Sequence, residues 1–416
     1  MNQPLFERCF TAEEALKKFN NECDLLQISS SVNSLYITDL FSFHKCKLIA
    51  STFSTIGFGK GDNTYSSLGA QFESLQHFIS IYSFNMENED YLFLSYKDIL
   101  FKKTPILLHK IPADIRNNAN YQDIALLWVK FYSLDNKNDY FYIPCISVEP
   151  TYINYSHPED SFPYHEIYLQ HSDNGLAIGC SYEEALTHSL LEVIERDAWA
   201  LFLKYYFINN VPISLRMVNK KSLKEELKKI IFDVEKKYDT NIFIFQMPND
   251  FDIFTYGAVI NLEGYPIAIK GFGASLSEEY AVERAVYEVV QCLAIHFENI
   301  SNETLETYSL LKNIPHIKKC MQFNMAELIK ARTTETIESP HDLEEILNSK
   351  NDYLAILLDK ISKNNFQIYV RNIYTSDNIS LLQTIIPNAE DCFVLSEGII
   401  MPPHDRQIEF LNQKIV

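Results

Sequence analysis

"GCSYEEALTHSLLEVIER", residues 179–196, opens on a glycine, passes a serine and runs into a helical pattern. Ser181 followed three residues later by Glu184 is a capping box, which satisfies free backbone N–H groups at the start of a helix. The helix carries Ser189, Glu192, Glu195 and Arg196 among Leu190, Leu191, Val193 and Ile194. A core-facing stripe normally selects apolar side chains alone, because an ionised carboxylate loses its hydration on burial. Two acids and an arginine in such a stripe call for a compensating charge.

The pattern recurs on either side. "GKGDNTYSSLGAQFESLQ" (59–76) and "GASLSEEYAVERAVYEVVQ" (273–291) share with it a small residue, a glutamate seven positions on, and a Glu or Gln three further. The triples are Ser66–Glu73–Gln76, Ala185–Glu192–Glu195 and Ala281–Glu288–Gln291. Glycines lead into each: Gly57, Gly59 and Gly61; Gly175 and Gly179; Gly271 and Gly273. Ser275 and Glu278 predict a capping box for the third helix as well. Residues at i, i+3, i+7 and i+10 lie within about 80° of one another around a helix. Each helix therefore presents one carboxylate and a second oxygen donor on one face, flanked by apolar groups such as Phe72, Leu75, Leu191, Ile194, Val286 and Val289. Hard oxygen donors from several elements suit Mg²⁺ bound together with phosphates. For any one helix, pairing of the acids with neighbours such as Arg196 and Arg284 is the better reading, but three copies of one spacing favour a shared site.

Cationic groups accompany the acids. Lys60, between Gly59 and Gly61, is expected on a flexible loop that brings an ammonium and backbone N–H groups to a phosphate. The "GKG" lacks the GxxxxGK[ST] spacing of a P-loop. Arg196 offers a planar fork to phosphate oxygens, or a salt bridge to Glu192 or Asp197.

The 416 residues carry a formal net charge of −19 and are 47% hydrophobic, a globular composition. That charge excludes a nucleic-acid backbone or an anionic membrane as the main partner. No apolar run is long enough for a membrane span, the N-terminus lacks a secretory pattern, and eight scattered cysteines read as reduced thiols. A cytoplasmic setting follows. Helices are predicted over "TAEEALKKFNNE" with Thr11 as cap, to about Tyr82, over 180–207, in "SLKEELKKIIFDVEKKY", over 278–298, and around 303–332 and 342–362. Strands are predicted in "SLYITDLF", "KLIASTF", "YFYIPCISVEP", "NIFIFQMP", "FTYGAVINL", "PIAIKGFG", "NFQIYVRNIY" and "LLQTIIPN". Without a regular βαβ repeat, the class is α+β with mixed sheets.

Taken together, "GKG" at 59–61, Ser66 ahead of Glu73, "DNGLAIG" (173–179) before "SLLEVIERDAW", "GFGAS" before "RAVYEVVQ", and "IIPNAED" before "PPHDR" resemble the YcaO family of ATP-dependent enzymes over about residues 35–406. The resemblance implies a nucleotide held between the three helices of a non-P-loop fold. It implies Mg²⁺ ligands at Glu73, Gln76, Glu192, Glu195 and Glu288, and nucleotide contacts from Lys60, Ser66, Ser189, Arg196, Arg284 and Gln291. It also implies activation of a peptide backbone amide by phosphorylation, giving thiazoline or oxazoline rings from Cys, Ser or Thr of a precursor peptide. Thioamide or amidine formation and a non-catalytic nucleotide-binding scaffold are the alternatives. The implied partners are a leader-recognising ThiF-like or E1-like protein and a flavin-dependent azoline dehydrogenase. Residues 1–35 are expected as an N-terminal extension that docks a partner, and 36–416 as the catalytic domain.

This sequence departs from the family where Gln76, His77 and Leu293 replace commonly charged residues, and where the tail lacks a Pro-rich ending. No proton-transfer group stands out; His77, His188, His296 and His404 are the candidates.

Overall fold

The computed structural model describes residues 7–36, 40–51, 53–84, 88–169, 171–298, 308–309, 312–338 and 353–391. Three sheets organise them. The first is antiparallel and runs β1 (Ser29–Tyr36), β2 (Ser42–Ile49), β3 (Ser54–Gly61) in spatial order. The second runs β4 (Tyr91–Ser95), β5 (Ala125–Ser133), β13 (Tyr369–Thr375), β14 (Ser380–Ile385), β7 (Leu176–Gly179), with β6 (Tyr140–Pro144) also paired to β5. The third runs β11 (Ile269–Ser275), β10 (Phe254–Ile260), β9 (Ile242–Gln246), β8 (Leu215–Val218), β12 (Thr334–Ile337), and its β8–β12 pair is parallel. The longer helices are α1 (Ala12–Leu25), α2 (Asn63–Ser83), α3 (Tyr182–Leu203), α4 (Glu225–Tyr238), α5 (Glu278–Glu298) and α6 (Tyr353–Lys363). The class is α+β, as the element pattern predicts.

Each copy of the repeated pattern is a strand turning directly into a helix: β3 into α2, β7 into α3 and β11 into α5. The leading glycines let helix and strand backbones touch. A Cβ on Gly59 would sit 1.7 Å from the Ser66 carbonyl oxygen, and one on Gly273 would sit 2.1 Å from that of Ala281. Both contacts exclude any side chain, so glycine in the strand and a small residue in the helix are two halves of one packing contact.

Two local expectations are corrected. The segment around Lys60 is the end of strand β3, paired to β2 through Phe43–Lys60, and not a flexible loop. The third helix is capped by Ser277, whose hydroxyl accepts from the Tyr280 N–H at 3.1 Å. Ser275 stands at the end of β11 with its hydroxyl turned to other partners. The first helix follows expectation, with Thr11 and Glu14 forming a complete capping box. The opening helix is a regular α-helix to Leu203 and then widens into a π-helical turn, Lys204–Ile208.

Apolar faces close each sheet–helix layer. Val282, Val286 and Val289 of α5 pack with Ile244 and Tyr256 and with Leu227, Ile230, Ile231 and Val234 of α4. Leu190, Leu191 and Ile194 of α3 meet Val370, Leu382 and, from α6, Leu357 and Ile361. Phe19 and Cys23 of α1 share a core with Leu75, Phe78 and Ile79 of α2 and with Ile178 and Leu381 of the second sheet. The described part of residues 1–35 thus lies against the same body as the rest. The seven described cysteines are free thiols, and among the described residues no helix is long and apolar enough to cross a membrane.

Candidate active site

The three strand–helix units bring their charged faces together. Lys60, at the end of β3, places Nζ 3.0 Å from Oε2 of Glu288 on α5. Arg284, one turn before Glu288, points Nη2 at Glu195 Oε2 on α3, 3.7 Å away. Glu73 on α2 accepts a 2.7 Å hydrogen bond from the Phe58 N–H of β3. A cleft of about 290 Å³ opens above this cluster, lined among others by Lys60, Tyr65, Phe72, His188, Arg284 and Tyr287.

Burial sets the charge state. Loss of hydration pushes the Glu192 carboxyl up to about 8 even with Arg196 nearby, so it is largely protonated at neutral pH. Glu73 is raised mainly by burial, and Glu195 by burial and by the neighbouring Glu288. At Glu288 burial acts in the same sense, but Lys60, Arg196 and Arg284 together outweigh it and hold the carboxyl below its ordinary value. Burial disfavours the Arg196 guanidinium too, yet Glu195, Glu288 and Glu192 more than compensate and its pKa rises. Glu73, Glu192 and Glu195 thus stay raised by burial despite the neighbouring cations, a cost that a divalent cation would relieve.

The predicted site residues divide into four groups. Lys60 meets Glu288 and Arg284 meets Glu195 as described, with Glu73 within electrostatic reach of Lys60 and Glu288. Glu192 and Arg196 lie beside them, within electrostatic reach of Glu195 and Glu288, with Arg196 also resting 5.6 Å from the Phe272 ring centroid. Gln76 on α2 and Gln291 on α5 are half-buried. Ser66 and Ser189 differ, because both hydroxyls are fully buried against backbone. Ser66 Oγ donates to the Gly59 carbonyl at 2.9 Å and meets His44 Nδ1 at 2.8 Å. Ser189 Oγ donates to the Gly175 carbonyl and meets the Thr384 hydroxyl. These serines fasten helix to strand where the repeat is tightest.

Of the candidate histidines, His188 faces the cleft, and burial together with Arg8 and Arg284 keeps its imidazole neutral. Its Nε2 is buried without a hydrogen-bond partner. His77 bonds the Ile56 carbonyl and His296 packs on Tyr265, whereas His404 lies outside the described residues. Two acids carry no assigned role in the sequence reading. Asp173, within the quoted "DNGLAIG", bears electrostatically on Glu192 and Arg196. Glu7 reaches Arg284 from outside the repeats, and no spacing rule could have found it.

Residues 58–390 match the YcaO cyclodehydratase family, described as ATP- and Mg²⁺-binding. The chain belongs to the YcaO family. Its fold is similar to that of YcaO from Methanopyrus kandleri bound with AMPPCP and Mg²⁺, with a TM-score of 0.63 at 18% identity over 95% of this chain and 96% of that one. It is also similar to a heterocyclase solved in complex with substrate and cofactor, with a TM-score of 0.62 at 16% identity. That likeness covers 97% of this chain and 55% of the heterocyclase, so the chain spans about half its length. An uncharacterised protein of Methanothermobacter thermautotrophicus is 24% identical over 221 residues, which make up 52% of this chain and 55% of that relative.

The YcaO donor set fits a magnesium nucleotide chemically. Glu195 Oε2 is buried with no hydrogen bond, and Glu192 and Glu288 beside it add further carboxylate oxygens. Among the described residues no group of three or more His, Cys, Asp or Glu side chains stands close enough to hold a metal ion in this conformation. Two of the acids are instead paired with Lys60 and Arg284, the cations suited to phosphate.

Proposed function

We propose that this YcaO chain is an ATP-dependent cyclodehydratase subunit that phosphorylates a backbone amide oxygen in a ribosomally made precursor peptide, forming thiazoline or oxazoline rings from Cys, Ser or Thr. One observation carries the reading. Acids and bases from three separate strand–helix units interlock beside the cleft that Lys60 and Arg284 line, with Lys60 on Glu288 and Arg284 on Glu195.

Glu73, Glu192, Glu195 and Glu288 would hold Mg²⁺, with Gln76 and Gln291 adding neutral oxygens. The bound metal would neutralise charge on the phosphates and on the transferring phosphoryl group. Lys60, Arg196 and Arg284 are the phosphate-binding cations, and they become available as the acids turn to the metal. Ser66 and Ser189 serve by fixing the helix positions. In the reaction, the Cys, Ser or Thr side chain adds to the preceding amide carbonyl, the resulting oxygen takes the γ-phosphoryl group of ATP, and phosphate leaves with the former carbonyl oxygen. An oxyanion is a poor leaving group, and phosphorylation removes that obstacle.

Leu293, where relatives commonly carry arginine, is fully buried among the valines of α5. In this chain the position contributes packing, and the phosphate contacts fall to the three remaining cations.

The test is incubation of the chain with ATP, Mg²⁺, a Cys-containing precursor peptide and a leader-recognising partner. Loss of one water per ring in the product mass, with matching phosphate release, is expected. Exchange of oxygen for sulfur would assign a thioamide-forming enzyme instead. ATP binding without hydrolysis in the complete mixture would assign a scaffold.

A further inference from the structure

Glu7 lies outside residues 58–390 that match the family, yet its carboxylate is inside the site. The side chain is 1% exposed. Oε1 accepts from the Ser275 hydroxyl at 2.7 Å and the Tyr353 hydroxyl at 2.8 Å. Oε2 accepts from Arg284 Nη1 at 3.3 Å. The next residue, Arg8, pairs with Glu184 on α3 at 2.7 Å, and Arg8 and Phe10 line the same cleft as Lys60 and Arg284. The segment ahead of α1 is therefore a wall of the cleft, fastened to β11, α3, α5 and α6.

We propose that Glu7 is a positioning residue for the phosphate-binding arginine, holding the Arg284 guanidinium in place when Glu195 turns to the metal. This rests on the nucleotide site described under Proposed function. Among the described residues, Glu7 and Glu195 are the acids within ion-pair distance of Arg284. In the proposed loaded site Glu195 is a metal ligand, which leaves Glu7 to orient a long side chain that otherwise has many rotamers. A competing view makes Glu7 an internal anion that phosphate must displace. The geometry opposes it, because Glu7 is fixed by two hydroxyls that do not belong to the phosphate site. The Tyr353 hydroxyl is itself fixed, since it also accepts from the Leu276 N–H at 2.9 Å. Ser275 and Tyr353 can bond each other at 3.0 Å, so departure of Glu7 would still leave one of the two buried hydroxyls without its acceptor, a cost that phosphate arriving at Arg284 does not offset.

Equilibrium binding of Mg²⁺–ATP and of adenosine to the full chain separates the possibilities. The variants are Glu7→Gln, which keeps volume and removes charge, and Tyr353→Phe, which removes one hydroxyl holding Glu7. Glu7→Gln is expected to weaken Mg²⁺–ATP about tenfold while leaving adenosine unchanged, because the arginine serves the phosphates. Tyr353→Phe is expected to shift Mg²⁺–ATP in the same direction by a smaller factor. Equal loss for both ligands would show a merely structural role, and unchanged or tighter Mg²⁺–ATP binding would show that Glu7 does not position Arg284. Either result overturns the inference. Failure of the wild-type chain to bind Mg²⁺–ATP at all would instead count against the nucleotide site on which the inference rests.

Discussion

Lys60 and Glu288 form an ion pair of 3.0 Å between the first and the third strand–helix unit, with both side chains partly shielded from water. Among the described residues neither forms an ion pair within its own strand–helix unit, so the pair reports how the units are docked. Lys60 heads the groups that lower the Glu288 carboxyl, ahead of Arg196 and Arg284. Lys60→Ala is therefore expected to raise the Glu288 pKa and to weaken Mg²⁺–ATP binding by at least about tenfold, the scale of a charge-assisted contact. Calorimetric titration of the variant checks this; wild-type affinity would assign the pair to fold stability alone.

The pH dependence follows from Glu192. Its carboxyl rises from 4.5 to about 8 on folding, chiefly through burial, so the metal-free folded state holds a proton that the unfolded state has released. The stability of the metal-free protein is expected to fall as pH rises between 4.5 and about 8, and to level off above. Mg²⁺ must displace that proton, so its affinity should increase across the same window. Thermal melts with and without Mg²⁺ at several pH values should show the metal-free stability falling across this window while the increment added by Mg²⁺ grows.

Gly59→Ala tests the close strand–helix contact. Its new Cβ would lie 1.7 Å from a backbone oxygen of α2, which cannot rotate away. A destabilisation of about 3 kcal/mol or outright loss of folding is expected, the upper range for overpacking. Gly264→Ala is the comparison on the overpacking count, since nothing lies within 4 Å of its Cβ position. Because Gly264 has a φ of +76°, the control carries its own backbone strain, of order 1 kcal/mol. Urea unfolding should therefore give a clearly larger loss at Gly59.

A fully buried pair lies at the end of α3. Lys204 Nζ is 3.1 Å from Glu390 Oε1, with the two side chains 5% and 0% exposed. Breaking it with Lys204→Met is expected to cost about 3–5 kcal/mol, because a buried carboxylate loses its cation. The double variant with Glu390→Gln should recover part of that loss. Urea midpoints of the single and double variants measure the coupling.

The repeat was legible in the sequence because it is written in local terms. A glycine, a cap, and acids at seven and ten positions are set by helix geometry and steric room, both properties of a short stretch. The same reading misplaced Lys60 in a loop because "GFGKG" has no strand propensity of its own. Pairing with β2 and the lid of α2 make it a strand. It also expected Ser275 to cap α5, but neighbouring Ser277 serves, since Ser275 is drawn to Glu7 and Tyr353. Ser66 and Ser189 were legible as positions of the repeat but not as packing hydroxyls, since their partners come from β2, β3, β14 and the turn before β7.

From its own residues the chain specified an α+β class, three glycine-led helices and an excess of acid on one face of each. Those follow from backbone sterics and from the period of the helix. Tertiary structure alone decided that the faces meet, that Glu7 reaches Arg284 from a distant part of the chain, and that Glu192 is held near a pKa of 8. These depend on which surfaces exclude water from one another, a property of the assembled chain.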